Sequence, residues 1–159
     1  LGFTCSSFYS VSMSPPLVSF SVMAGSASYP MMRQAGRFAV NILSDEQVEI
    51  SRRFARRGAD KWDDVGRLES PLGNPVIASS LHWLDCRIHA EHVAGDHLIV
   101  IGEVQAMSSQ NNAAARPLLY YQGQYRQLAA PRALEGSDSR YAESRTRDKG
   151  APPGILITP

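Results

Sequence analysis

Thr4-Cys5-Ser6-Ser7-Phe8-Tyr9-Ser10-Val11-Ser12 sets small hydroxyl residues at close spacing. Pro15-Pro16 then makes a rigid bend before the apolar run from Leu17. Hydroxyls and exposed backbone amides at this density suit a flat ring system with a polar edge. The run holds no strong acid, base or metal ligand, so its chemistry would rest with a bound cofactor that the protein orients. On composition alone the favoured reading is a Ser-rich strand edge and turn.

Other chemistry-bearing residues are dispersed. His82, His89, His92 and His97 do not have the spacing of a common metal site. His89 and His92 differ by an odd number, so a regular strand puts them on opposite faces. No compact set of nitrogen and sulfur donors appears, and no metal is expected. Arg52, Arg53, Arg56 and Arg57 cluster at helical spacing. They read either as a phosphate or nucleic-acid patch or as a solvated helix face near a C-terminus, where the dipole favours cations; the near-neutral chain favours the solvated face. Cys5 lies inside the hydroxyl run and is a candidate for oxidation, although nothing adjacent lowers its pKa.

These residues belong to a chain of 159 residues, one ordinary domain. A hydrophobic fraction of 43% and a charged fraction of 19% are those of a globular protein. The net charge of +1 gives no support to nucleic-acid binding. Two cysteines, Cys5 and Cys86, are too few for a disulfide framework, so a reduced, cytoplasmic setting is expected. No apolar run approaches the roughly 20 residues of a membrane-spanning helix. Leu1-Gly2-Phe3 lacks the features of a signal peptide and reads as the middle of a strand, which points to a truncated N-terminus.

The elements follow from periodicity and punctuation. Phe3 to Ser10 reads as extended, Leu17 to Met23 as a core strand, and Tyr29 to Ala35 as a short helix with Pro30 in its first turn. Phe38 to Leu43 is a second core strand. Ser44 with Gln47 makes a capping-box pattern for a helix running to Arg57 and stopping at Gly58. Asp60 to Asn74 reads as loop. Leu84, Cys86, Ile88 and Ala90 alternate with Asp85, Arg87, His89 and Glu91, a half-buried strand. The turn Ala94-Gly95-Asp96 joins it to a second strand, His97 to Met107. Leu118 to Leu128 is a final strand. From Ala129 the chain is rich in Pro, Gly, Ser and charge, with only Ile155-Leu156-Ile157 apolar, and reads as a flexible tail. The division is a domain over 1–128 and a tail over 129–159, mainly β with helices, as a barrel or sandwich.

Several segments, in order, carry a family resemblance. Thr4 to Val18 is similar to the pattern T-x-x-S-F-x-S-V-S-x-x-P-P-L-V of the short-chain flavin reductases. Ser26-Ala27-Ser28-Tyr29 resembles that family's S-x-[ST]-[WY] turn, and Gly36 to Leu43 its G-x-F-[AV]-V-N-[IV]-L strand. Phe54-Ala55 with Ala59-Asp60-Lys61-Trp62 resembles F-A-x-x-x-A-D-[KR]-[FW]. Ala94 to Val104 resembles A-G-D-H-x-[IL]-[VF]-x-G-x-V, and Pro117 to Tyr125 follows more weakly. No one segment is decisive; their joint order and spacing carry the resemblance.

The resemblance implies an FMN-binding split β-barrel, usually a homodimer, moving hydride from NADH or NADPH to FMN or FAD and handing reduced flavin to a partner monooxygenase. It also implies an N-terminal helix and first strand before Leu1, whose lack would leave an open barrel edge. Carried over by position, Thr4, Cys5, Ser6 and Ser7 lie along the flavin ring and ribityl edge, and Ser12 near the ring. Ser26, Ala27 and Ser28 hold the flavin phosphate. Many relatives carry Arg or Lys just before that turn, where this chain has Ala24-Gly25, so Arg33 or Arg37 is left as the charge partner; Arg33 reads equally as a solvated helix position. His97 is the residue expected to orient the nicotinamide, or else a histidine that caps its hairpin. Tyr125 either contacts the dinucleotide or is a core aromatic. Competing readings are a flavin carrier without turnover and a degenerate fragment that binds no flavin.

Overall fold

The computed structural model describes residues 1–58, 60–109, 116–128 and 155–158. In chain order its strands are β1 (Phe3–Cys5), β2 (Tyr9–Met13), β3 (Pro16–Met23), β4 (Arg37–Ile42), β5 (Arg67–Glu69) and β6 (Pro75–Ile77). They continue with β7 (His82–Ala94), β8 (His97–Met107), β9 (Leu119–Tyr121), β10 (Gln124–Arg126) and β11 (Ile155–Thr158). The helices are α1 (Tyr29–Ala35) and α2 (Val48–Ala55). Seven strands form one sheet in the order β1-β11-β4-β7-β8-β3-β2. Every neighbouring pair in it is antiparallel.

The long hairpin β7–β8 is the backbone of this sheet, turning at Gly95-Asp96 within the predicted turn, with Ala94 the last residue of β7. Register shifts between Asp85 and Cys86 and between Ile88 and Ala90 break its strict alternation. Asp85, expected on the solvent face, is fully buried as a result. Its carboxylate accepts from the Leu72 amide at 2.7 Å and from Asn74 Nδ2 at 2.6 Å, so the buried charge is hydrogen-bonded. The apolar faces of β3, β4, β7 and β8 bury Phe20, Phe38, Val40, Cys86 and Val100 with Met32 of α1. Phe20 meets Phe38 edge-on at 5.2 Å. A second cluster joins Leu43, Phe54, Val65, Ile77 and Leu118 under α2.

Four expectations are corrected. The extended run Phe3 to Ser10 breaks at Ser6, dividing β1 from β2. The helix after Ser44 begins with a single 3-10 turn, Asp45–Gln47, where the Ser44 amide donates to Gln47 Oε1 at 2.9 Å. It ends at Ala55, because Arg56 is already extended at φ −81° and ψ 154°. The loop from Asp60 contains β5, paired with β6. The run from Leu118 is a hairpin rather than one strand: Gln122 and Gly123 sit at φ 49° and 75°, the left-handed pair that a tight two-residue turn requires.

The stretch from Ala129, expected as a flexible tail, supplies β11, a strand inside the main sheet. Residues 129–154 and 159 lie outside the described ones. No helix among the described residues is long and apolar enough to cross a membrane.

Candidate functional site

The chain turns sharply after β1, and three hydrogen bonds set that turn. Thr4 Oγ1 donates to the Ser51 carbonyl of α2 at 2.7 Å. Ser7 Oγ accepts from the Ser21 amide of β3 at 2.9 Å and lies 3.1 Å from Cys5 Sγ. Thr4, Cys5 and Ser7 thus spend their side chains bracing the turn against α2 and β3. Ser6 is left exposed at its tip.

Beside this turn the chain leaves β3 through Gly25, Ser26, Ala27 and Ser28 and enters α1. Ser26 Oγ accepts from the Tyr29 amide at 3.3 Å, and the Ser26 amide donates to the Met23 carbonyl at 2.9 Å. The loop is folded on itself with Ala27 exposed at its tip. His97, first residue of β8, stands opposite Met23 in the register of β3 and β8. Its Nδ1 lies 2.7 Å from Asp96 Oδ1, and this bond holds the Asp96 carboxyl below the usual range.

An open cleft of about 820 Å³ gathers these pieces. Its wall includes Thr4, Cys5, Ser6 and Ser7, then Ser26, Ala27 and Ser28, then His97. Arg56, Arg57, Asp60, Lys61 and Trp62 line it from the other side. The sequence favours a solvated helix face for the arginine cluster. The early end of α2 splits that cluster, and Arg56 and Arg57 fall at the cleft. Lys61 donates to the Gly2 carbonyl at 2.9 Å and the Phe54 carbonyl at 3.1 Å, and burial lowers its pKa. Trp62 Nε1 donates to the Leu1 carbonyl at 3.2 Å and its ring meets Phe54 edge-on. The Asp60-Lys61-Trp62 segment was legible as a motif, but its job of holding β1 to α2 was not.

Four expected residues lie outside this lining. Ser12 sits on β2, half-buried and in register with Leu17, outside the cleft lining. Arg33 is largely exposed, and its Nε pairs with Glu91 Oε2 at 3.0 Å. Arg37 places its guanidinium beside Gly73. Tyr125 lines a second cleft, of about 670 Å³, which shares Thr4, Cys5, Ser6, Ala55 and Arg56 with the first. There the Tyr125 hydroxyl donates to Ser51 Oγ at 3.0 Å, Arg52 stacks over its ring at 5.3 Å, and Tyr120 meets it at 5.1 Å.

The residues at the first cleft fit a flavin mononucleotide moiety. A hydroxyl-rich turn faces a small-residue loop across one cavity, and cationic side chains flank it. The lining offers hydrogen-bond partners for a polar ring edge and positive charge for a phosphate.

The chain is similar to known proteins. The chain is 41% identical over 129 residues to a flavin reductase of Pseudomonas putida, covering 81% of this chain and 75% of that protein. It is 39% identical over 125 residues to the reductase subunit HsaB of a flavin-dependent monooxygenase from Mycobacterium tuberculosis, covering 79% of this chain and 67% of that one. Among solved structures, a homologue of nitrilotriacetate monooxygenase component B from Mycobacterium thermoresistibile superposes with a TM-score of 0.77 at 37% identity, over 89% of this chain and 80% of that one. The NADH:FAD oxidoreductase SgcE6 of Streptomyces globisporus C-1027, solved with NAD and FAD fragments, gives 0.75 at 34% identity, over 82% and 78%. The sheet is the antiparallel half-barrel of these reductases, as the resemblance implied. With residues 1–129 matching the family profile described as flavin reductase like domain, the chain belongs to the flavin reductase like family.

Proposed function

We propose that this chain is an NAD(P)H-dependent flavin reductase that binds FMN, or the FMN half of FAD, in the first cleft and passes reduced flavin to a partner monooxygenase. One observation carries the reading: a single cavity collects Thr4–Ser7, Ser26–Ser28 and His97 from three separate parts of the chain. Bound flavin would supply the redox chemistry, as the hydride acceptor for a reduced nicotinamide.

The chain's own residues align, neutralise and exclude water. Backbone groups of the braced Thr4–Ser7 turn meet the polar edge of the ring. The Ser26–Ser28 loop takes the phosphate. Arg56 and Arg57 supply the positive charge that Ala24 and Gly25 do not, a role left to them by the Arg33–Glu91 pair. His97, oriented by Asp96, donates to the carboxamide of the nicotinamide, and no residue need act as a general base in hydride transfer. The adjoining cleft would hold the rest of the dinucleotide, with Tyr125 and Tyr120 offering aromatic rings and Arg52 a guanidinium. Support for a monooxygenase partner comes from the reductase-subunit relatives. A homodimer in a cytoplasmic setting belongs to the same reading.

The test is a paired titration with FMN and riboflavin. Ser26→Asp places a negative charge where the phosphate is proposed to bind. FMN affinity is expected to fall by about tenfold or more, with riboflavin affinity unchanged. Equal losses for both ligands would remove the Ser26–Ser28 loop from the phosphate site.

A further inference from the structure

β1 carries Thr4 and Cys5 into the cleft wall, and among the described residues its ladder neighbour in the sheet is β11. Phe3 stands opposite Ile157, Thr4 opposite Leu156, and Cys5 opposite Ile155. The other edge of β11 pairs with β4, from Ile155 against Ile42 to Thr158 against Ala39. Among the described residues, the strand 155–158 is therefore what joins β1 itself to the sheet's ladder. A three-residue strand has no independent stability, and its backbone donors and acceptors need a partner.

β11 is firmly seated at its C-terminal end. Ile157 and Thr158 are fully buried, and Ile157 joins the core cluster of Phe38 and Val40 against which Phe3 also packs. Thr158 Oγ1 donates to the Pro75 carbonyl at 2.7 Å and accepts from Asn41 Nδ2 at 3.3 Å. Asn41 Oδ1 in turn accepts from the Ile77 amide at 2.8 Å. These contacts tie β11 to β4 and β6 independently of any ligand. The other ties of β1 are to side chains or from them, Thr4 to Ser51, Lys61 to Gly2, and Cys5 through Ser7 to Ser21 of β3, and leave the backbone ladder of β1 to β11.

We infer that β11 is a positioning strut for the flavin site: docking of Ile155–Thr158 between β1 and β4 fixes the Thr4–Ser6 wall, and flavin affinity follows the occupancy of that slot. The inference rests on the flavin reading of the first cleft for its ligand, and on the sheet alone for its mechanics. Four residues make a small cooperative unit that can open locally while β3, β7 and β8 stay formed.

The test compares the full chain with one ending at Pro153, by amide hydrogen exchange and FMN titration, with and without the peptide Ala151–Pro159 added in trans. The shortened chain is expected to lose protection at Phe3–Cys5 and bind FMN at least tenfold more weakly, and the peptide to restore both. Unchanged β1 exchange and unchanged FMN affinity, or no restoration by the peptide, would overturn the strut. If the shortened chain does not fold, Thr158→Val in the full chain replaces it. Faster exchange in Phe3–Cys5 together with Ile155–Thr158, and not in β3 or β8, supports the inference; unaltered β1 exchange overturns it. Restored β1 protection in a chain that binds no FMN would refute the flavin reading and leave the strut standing.

Discussion

Phe38 presses the edge of its ring onto the bare backbone of Gly102: a Cβ at that position would stand 2.3 Å from Phe38 Cζ and 2.8 Å from Cε1. Phe38 is fully buried between Phe20 and the sheet, so it has no room to withdraw. The contact joins β4 to β8 across β7, the strand that pairs with both. Gly102→Ala is expected to destabilise the fold by about 1–3 kcal/mol, read as a lower melting temperature of the isolated chain. An unchanged melting temperature would mean that the core yields more easily than its packing indicates.

Lys61 is the hinge pin of the cleft wall, since its ammonium reaches carbonyls of both Gly2 and Phe54. Lys61→Met keeps the stem and removes both bonds. A stability loss of about 1–3 kcal/mol is expected, with weaker FMN binding because β1 is freed. Melting and flavin titration on the same preparation separate the two effects. Full FMN affinity in the variant would show that the tie is not needed to hold the wall.

Stability should fall with alkaline pH. Burial raises the thiol pKa of both Cys5 and Cys86 above the ordinary 9.0, most strongly for the fully buried Cys86. In the unfolded chain these thiols ionise near their ordinary value, while in the folded chain they keep their protons. The folded state then binds more protons, and stability is lost as pH rises from the unfolded toward the folded pKa. The limiting slope is about 1.4 kcal/mol per pH unit for each thiol. Denaturant midpoints measured from neutral pH to above that of a free thiol check this. Cys86→Ala should flatten the alkaline decline, even though the variant is less stable at neutral pH.

Asp96 and His97 form an exposed pair, so their bond serves orientation more than stability. His97→Ala is expected to lower kcat/KM for the reduced nicotinamide by about tenfold, and Asp96→Asn by a smaller factor of about threefold, with melting temperatures unchanged. Equal rates in all three proteins would remove His97 from the nicotinamide side.

Much of this architecture was legible in the chain because local rules and tertiary packing agree. Pro30 and Gly36 bracket α1, and Gly95 marks the hairpin turn. The hydroxyl run, the Ser26–Ser28 loop and His97 were each identifiable, and the sheet brings all three to one cleft. What stayed hidden depends on pairings between distant parts of the chain. Ile155 to Thr158 look like a brief apolar patch in a polar tail, and only the slot between β1 and β4 makes them a strand. Asp85 is placed inside by a bulge that no alternation pattern encodes. Arg56 and Arg57 reach the cleft because α2 stops at Ala55, although helical spacing would continue it. Arg33 is diverted by Glu91, a partner on another element.

The proposed reaction is hydride transfer from a reduced nicotinamide to flavin in the first cleft. The most direct measurement follows the loss of NADH or NADPH absorbance with added FMN or FAD, for the full chain and for His97→Ala. Flavin-dependent oxidation by the full chain is expected, with a clear drop in the variant. Flavin binding without any NADH or NADPH oxidation would contradict it and leave a flavin-binding module in place of an enzyme.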